Sequence, residues 1–109
     1  MRVLFLLFAA HVLFDFQWQG EFLSHGKNRF KPIPGIPWYQ CMFAHCLIHA
    51  VAVGLITNSG GLAVCEFLIH FWADDSKCAG KLSFNQDQAI HYGCKLLWAS
   101  VAWLSLHLV

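Results

Sequence analysis

Long apolar stretches, separated by short polar or proline-rich connections, dominate the 109-residue chain. The stretches are too long for strands, and none sustains the period-two alternation of a half-buried strand. They predict four helices, at about residues 3–23, 38–57, 62–76 and 84–108, with Ser83 as the N-cap of the last. Short or proline-stiffened connections place successive helices side by side in antiparallel order. The predicted fold class is all-α, a four-helix antiparallel bundle forming one domain over residues 1–109.

Composition changes this picture from a soluble bundle to a membrane-embedded one. Hydrophobic residues make up 58% of the chain, against 7 basic and 6 acidic side chains and a net charge of +1. The surface of a soluble four-helix bundle needs more charge than this, and binding to nucleic acid needs a basic excess. Five cysteines without a C-x-x-C pair argue against a disulfide framework or a zinc ribbon. We expect a multi-pass bundle surrounded by membrane lipid; the oligomeric state stays open, and a homo-oligomer is compatible with the sequence.

Basic residues in the connections indicate an orientation. Lys27, Arg29 and Lys31 follow the first predicted helix, and Lys77 and Lys81 follow the third, so all five lie at the same end of an up-and-down bundle. By the positive-inside tendency this end is cytoplasmic, and both termini lie on the opposite side. We expect these residues, apart from Lys77, to determine topology or to contact lipid headgroups.

Each predicted helix carries one pair of potential metal ligands spaced i, i+4. The pairs are His11/Asp15, His45/His49, His70/Asp74 and Asp87/His91. This spacing puts both side chains on one helix face, and all four pairs fall at the same end of the bundle, within about two helical turns of each other. Ionisable groups are costly in apolar helices, so coordination is a natural explanation for them. Eight ligands exceed the needs of one ion, so we predict two divalent ions, for which zinc, manganese or iron suit the mixed ligands.

Five further polar residues adjoin the predicted metal site. Glu66 and Lys95 lie one helical turn deeper than the ligands, and we expect them to pair beneath the site and support it. Lys77, at the helix end, could bind a phosphate or another anionic group. Gln19 and Gln88 are assigned with Lys77 to substrate binding.

A two-metal site of this kind is suited to hydrolysis, because the ions activate water and polarise a phosphoryl or acyl oxygen. Asp15, Asp74 or Asp87 would then relay the proton. The site lies at headgroup depth, so we expect an anionic substrate containing a phosphate or an ester, either small or lipid-linked, at the cytoplasmic interface. Two alternatives stay open: a metal-binding membrane transporter, and a non-catalytic envelope or phage–host interaction protein with a structural metal site.

The same residues carry a resemblance to a known family. The motifs H-x3-D-F-x2-Q from His11, H-x3-H from His45, H-F-x2-D-x2-K from His70 and D-Q-x2-H from Asp87, with Lys27 between the first two, resemble the small bacterial and phage membrane proteins of domain-of-unknown-function family 3307. The pattern is also similar in style to that of membrane-bound metal-dependent hydrolases. The resemblance implies a location in the bacterial inner membrane, with periplasmic termini.

Overall fold

The computed structural model describes residues 1–108, most of which are helical, with no strand among them. The elements in chain order are α1 at Arg2–Val12, a π-helical turn at Leu13–Gln17, α2 at Gly20–Gly26, α3 at Trp38–Thr57, α4 at Gly60–Cys78 and α5 at Phe84–His107. The prediction of an all-helical chain is confirmed.

The first predicted helix, residues 3–23, is broken rather than continuous. The π-helical turn ends at Gln17, and the helix axis bends by 85° before α2 begins. Gly20 has a φ of +73°, a left-handed conformation that glycine adopts without steric cost. The bend lets α2 pack against α3 and returns the residues that follow it to the end of α4.

Local side-chain and backbone signals set the ends of the other helices. Helix α3 ends at Thr57 because Asn58 adopts the left-handed conformation, with a φ of 56°. The hydroxyl of Ser59 then accepts a hydrogen bond from the Leu62 amide, so α4 begins at Gly60, two residues earlier than predicted, and continues to Cys78. Ser83 caps α5 as predicted, in a capping box with Gln86.

Polar residues fill one end of the interior, and apolar residues fill the other. Among the described residues, twelve polar or charged side chains are buried against ten apolar ones, while twenty-four large apolar side chains are exposed. The apolar core comprises Leu7, Val53, Leu62, Trp98 and Ala102. These residues come from the start of α1, the end of α3, the start of α4 and the later half of α5, so the apolar core lies at the end of the bundle that contains the α3–α4 turn.

The described helices differ in their capacity to span a membrane. By length and composition α3 could cross one, and α1 with the π-helical turn and α2 could form one broken span. The molecule measures 50 × 23 × 21 Å, and the 24 residues of α5 extend over about 36 Å. The four-helix membrane arrangement therefore stays a prediction.

Candidate metal centre

One buried polar cluster gathers side chains from α1, the π-helical turn, α3, α4 and α5. We call it the polar cluster; its members are His11, Asp15, His45, His49, His70, Asp74, Asp87 and His91, all of them buried. Each helical i, i+4 pair presents both side chains on the inward face, as the spacing requires. The structure thus brings together all eight residues that the sequence assigns to metal binding.

Four of these residues have the mutual spacing of ligands to a single ion. Asp15, His45, His49 and His70 each offer one atom, and these atoms all lie within 4.8 Å of one another. The Nε2 atom of His45 is 3.1 Å from Asp15 Oδ1 and 3.1 Å from His70 Nε2. Bonds from zinc to nitrogen or oxygen are about 2.0–2.2 Å long, so neighbouring ligand atoms around a tetrahedral ion lie about 3.3 Å apart. The two separations of 3.1 Å from His45 Nε2 lie close to that value.

His49 supplies an independent test of the fit. Its Nε2 atom is buried, and no hydrogen-bond partner for it exists among the described residues. The nearest carboxylate oxygen, Asp15 Oδ1, is 3.5 Å away and is not hydrogen-bonded to it. A buried polar atom without a partner costs about 1–3 kcal/mol. A cation shared with Asp15 would remove this cost.

A second group of ligands shares Asp15 with the first. Asp15, Asp87 and His91 also offer atoms within 4.8 Å of one another. Asp74 lies between the groups, because its Oδ1 is 3.0 Å from His91 Nε2 and its Oδ2 is 3.0 Å from His45 Nε2. The three carboxylates and the imidazoles form a donor set of nitrogen and oxygen that suits a divalent transition metal or zinc. The cluster could therefore hold a metal ion.

Within the polar cluster, His11 is linked to Asp15 through the side-chain amide of Gln88. Its Nε2 donates to Gln88 Oε1 at 2.9 Å, because the amide oxygen can only accept. Gln88 Nε2 in turn donates to Asp15 Oδ2 at 2.7 Å. His11 is not in either of the two ligand groups described above. In the structure, Gln88 and His11 fix the orientation of the Asp15 carboxylate.

A buried network lies directly beneath the cluster. Lys95 Nζ donates to Glu66 Oε1 at 2.6 Å, so the predicted pairing of these residues is present. The same oxygen accepts from His70 Nδ1 at 3.1 Å, which leaves His70 Nε2 directed at the cluster. Trp98 Nε1 donates to Glu66 Oε2 at 2.6 Å. Trp98, which the sequence does not assign to the site, is thus a buried partner of Glu66.

Basic and amide side chains border the cluster near the end of α4. Lys77 is 27% exposed, and its Nζ lies 3.5 Å from Asp87 Oδ2. Gln19 donates to the backbone oxygen of Asp15 at 2.9 Å and accepts from Lys27. The structure thus places Gln19 and Gln88 on Asp15 from two sides. Gln88 is buried, whereas Gln19 and Lys77 are partly exposed.

Two cations of the first connection pair with neighbouring acids of α4. Lys27 is buried, and its Nζ donates to Asp74 Oδ2 at 2.7 Å, in contrast to the expected topology or headgroup role. Arg29 donates twice to Asp75, at 2.9 and 3.0 Å. The hydrogen bonds that Arg29 donates to the Asp75 carboxylate raise the pKa of its exposed guanidinium above the ordinary value. Sequence reasoning assigned Lys27 no place in the site, although its position in the family motif was a visible signal.

Comparison with known proteins identifies the family. The chain matches the profile described as protein of unknown function DUF3307 over residues 3–108, and it belongs to that family. No curated protein and no solved structure matches it significantly.

Proposed function

We propose that this member of the DUF3307 family is a membrane-embedded, metal-dependent hydrolase that binds two divalent ions in the polar cluster. The proposal rests on seven imidazole and carboxylate side chains that converge, at the spacing of metal ligands, in the buried interior. Asp15 would be shared between the two ions. When bound, the ions would supply Lewis acidity and water activation at neutral pH.

The distribution of apolar side chains supports the membrane location. Exposed leucines, phenylalanines and tryptophans line all the long helices, and a groove of about 340 Å³ between α3 and α4 is lined by apolar residues alone. In water such a surface would associate, whereas in lipid it is the expected exterior of a bundle with a polar interior. The four long apolar segments would then run antiparallel across the bacterial inner membrane. The end with the basic connections would face the cytoplasm, and both termini would face the periplasm.

The protein's own side chains suit water activation and anion binding. Three carboxylates border the two ligand groups, and Asp87 Oδ1 has no hydrogen-bond partner among the described residues, so it can accept a proton from water. Lys77 offers an ammonium group at the partly exposed edge of the cluster, beside Asp87. We therefore assign the substrate to anionic phosphate or ester compounds, including lipid-linked ones, with Lys77 holding the anionic group.

The apolar core argues against metal transport. Beneath Glu66 and Lys95 the interior is filled by Leu7, Val53 and Leu62, which leave no polar route onward among the described residues. An ion in the cluster would face a hydrocarbon barrier towards the far side. A structural metal site, in contrast, is compatible with the burial of the ligands and is the competing function.

Metal analysis of the detergent-solubilised protein, with turnover assays, tests the proposal. We expect at least one zinc, manganese or iron ion per chain, strong depletion in His49→Ala, and no change in His107→Ala, which alters an exposed histidine. Lys77→Ala is expected to keep its metal and lose hydrolysis of phosphate or ester lipids. A wild-type protein without stoichiometric metal would contradict the metal site. Metal retention without turnover on any such substrate would favour the structural role.

A further inference from the structure

Lys27 is the most deeply buried cation of the first connection. Its side chain is 2% exposed, whereas Lys31, four residues later, is exposed. The ammonium group has two acceptors in the structure, Asp74 Oδ2 and Gln19 Oε1. A buried ammonium group is strongly destabilising unless a negative charge compensates it, and Asp74 supplies that charge.

The bend after the π-helical turn delivers Lys27 to this position. Helix α2 ends at Gly26, and Lys27 follows it immediately as the C-cap. Gly26 allows a close approach, because a Cβ atom there would lie 2.7 Å from Cys41 Sγ. The end of α2 is thereby packed against α3 and aimed at Asp74 on α4. The ammonium group of Lys27 therefore contacts the polar cluster directly and is not an exposed charge of the connection.

We propose that Lys27 is a positioning residue that acts as an internal cation of the metal centre. It occupies Oδ2 of Asp74, so this carboxylate presents chiefly Oδ1 to the second ligand group, beside His91. It also neutralises one of the three carboxylates of the cluster. The inference rests on the proposed metal site and specifies its charge: with Lys27, the three carboxylates carry a net charge of −2 rather than −3.

If Lys27 has this role, replacing it should strengthen metal binding, whereas replacing a purely structural residue should weaken it. Lys27→Met removes the positive charge and releases Asp74 Oδ2, so a divalent ion should bind more tightly. A unit charge and a divalent ion about 6 Å apart repel one another enough, even at the dielectric constant of water, to change Kd about tenfold. If Lys27 only held the fold together, its removal would misplace Asp74 and weaken binding.

The experiment is a Co²⁺ titration of metal-depleted full-length protein in detergent, followed by visible absorption and then by Zn²⁺ competition. We expect Lys27→Met to bind about tenfold or more tightly than wild type, with Lys27→Arg close to wild type. Lys31→Met, which removes an exposed lysine of the same connection, is the matched control and should bind like wild type. Lys27→Gln keeps a hydrogen-bond donor for Asp74 and takes the place of Lys27→Met in the titration if Lys27→Met does not fold.

The outcomes separate this inference from the proposed function. If the wild-type protein binds neither Co²⁺ nor Zn²⁺, the metal site itself is refuted. If wild type binds but a folded Lys27→Met or Lys27→Gln protein binds equally or more weakly, the role of Lys27 is overturned and the metal site stands. Failure of both neutral variants to fold also overturns the inference, because it would assign Lys27 to the fold.

Discussion

Replacing Glu66 by glutamine would break the buried ion pair beneath the polar cluster while keeping its shape. Glu66 and Lys95 are each about 1% exposed, and their charged atoms are 2.6 Å apart. The glutamine amide is nearly isosteric, and its oxygen can still accept from Trp98. Lys95 would then remain as a buried ammonium without a countercharge.

The magnitude follows from the burial of both partners. Removing one member of a buried pair costs about 3–5 kcal/mol, a large share of a typical unfolding free energy of about 5–15 kcal/mol. Removing both charges, in Glu66→Gln/Lys95→Met, leaves no uncompensated charge and should cost much less than either single change, about 1 kcal/mol. With each single change at about 3–5 kcal/mol and the double change at about 1 kcal/mol, the coupling energy between the two positions should be about 5 kcal/mol or more.

Denaturant unfolding in detergent, followed by circular dichroism, measures all four proteins of this double-mutant cycle. The expected order of stability places the double variant between wild type and Glu66→Gln. A Glu66→Gln protein within about 0.5 kcal/mol of wild type would refute the reasoning, since such a difference is that of an ordinary surface change. A double variant as unstable as Glu66→Gln would show that side-chain shape, and not charge, determines the stability contribution of Glu66 and Lys95.

Other predictions concern packing, capping and metal removal. Gly26→Ala should lower stability by about 1–3 kcal/mol, because its Cβ would meet Cys41 Sγ at 2.7 Å. Gly93→Ala in α5, with open space around the new Cβ, should be neutral or stabilising by up to about 1 kcal/mol; equal thermal midpoints for the two variants would contradict this contrast. Ser83→Ala should cost about 1 kcal/mol and speed amide exchange in the first turn of α5, and unchanged exchange would argue against the cap. Chelation should lower the thermal midpoint of the metal-loaded protein and Zn²⁺ should restore it, whereas an unaffected midpoint would count against a bound ion.

The sequence was sufficient to predict the polar cluster because each ligand pair lies within one helical turn. His45 and His49 face the same way whatever the tertiary structure, and chain order sets their depth relative to Asp74 and Asp87. The pairing of Glu66 with Lys95 followed from the same argument, one turn deeper. Such local periodicity is the part of the structure that a single sequence encodes most directly.

The break between α1 and α2 was not predicted, and Lys27 was misjudged for the same reason. The apolar pattern continues through residues 13–19 without a proline, so it indicates an unbroken helix; Gly20 was the only local signal of the bend. The burial of Lys27 depends on where α2 points and on Asp74, 47 residues further along the chain. Contacts of this kind are set by tertiary packing, which helical periodicity does not contain.

Helix α5 supplies a partner to each buried carboxylate on the elements before it: Gln88 to Asp15, Lys95 and Trp98 to Glu66, and His91 to Asp74. A nascent chain is made from its N-terminus onward, so these acids are synthesised before the partners that α5 gives them. The buried network is therefore completed only when α5, the last of the described helices, is in place. Under the proposed metal site, an ion captured before α5 is made would meet an incomplete set of ligands, because Asp87 and His91 would not yet be present.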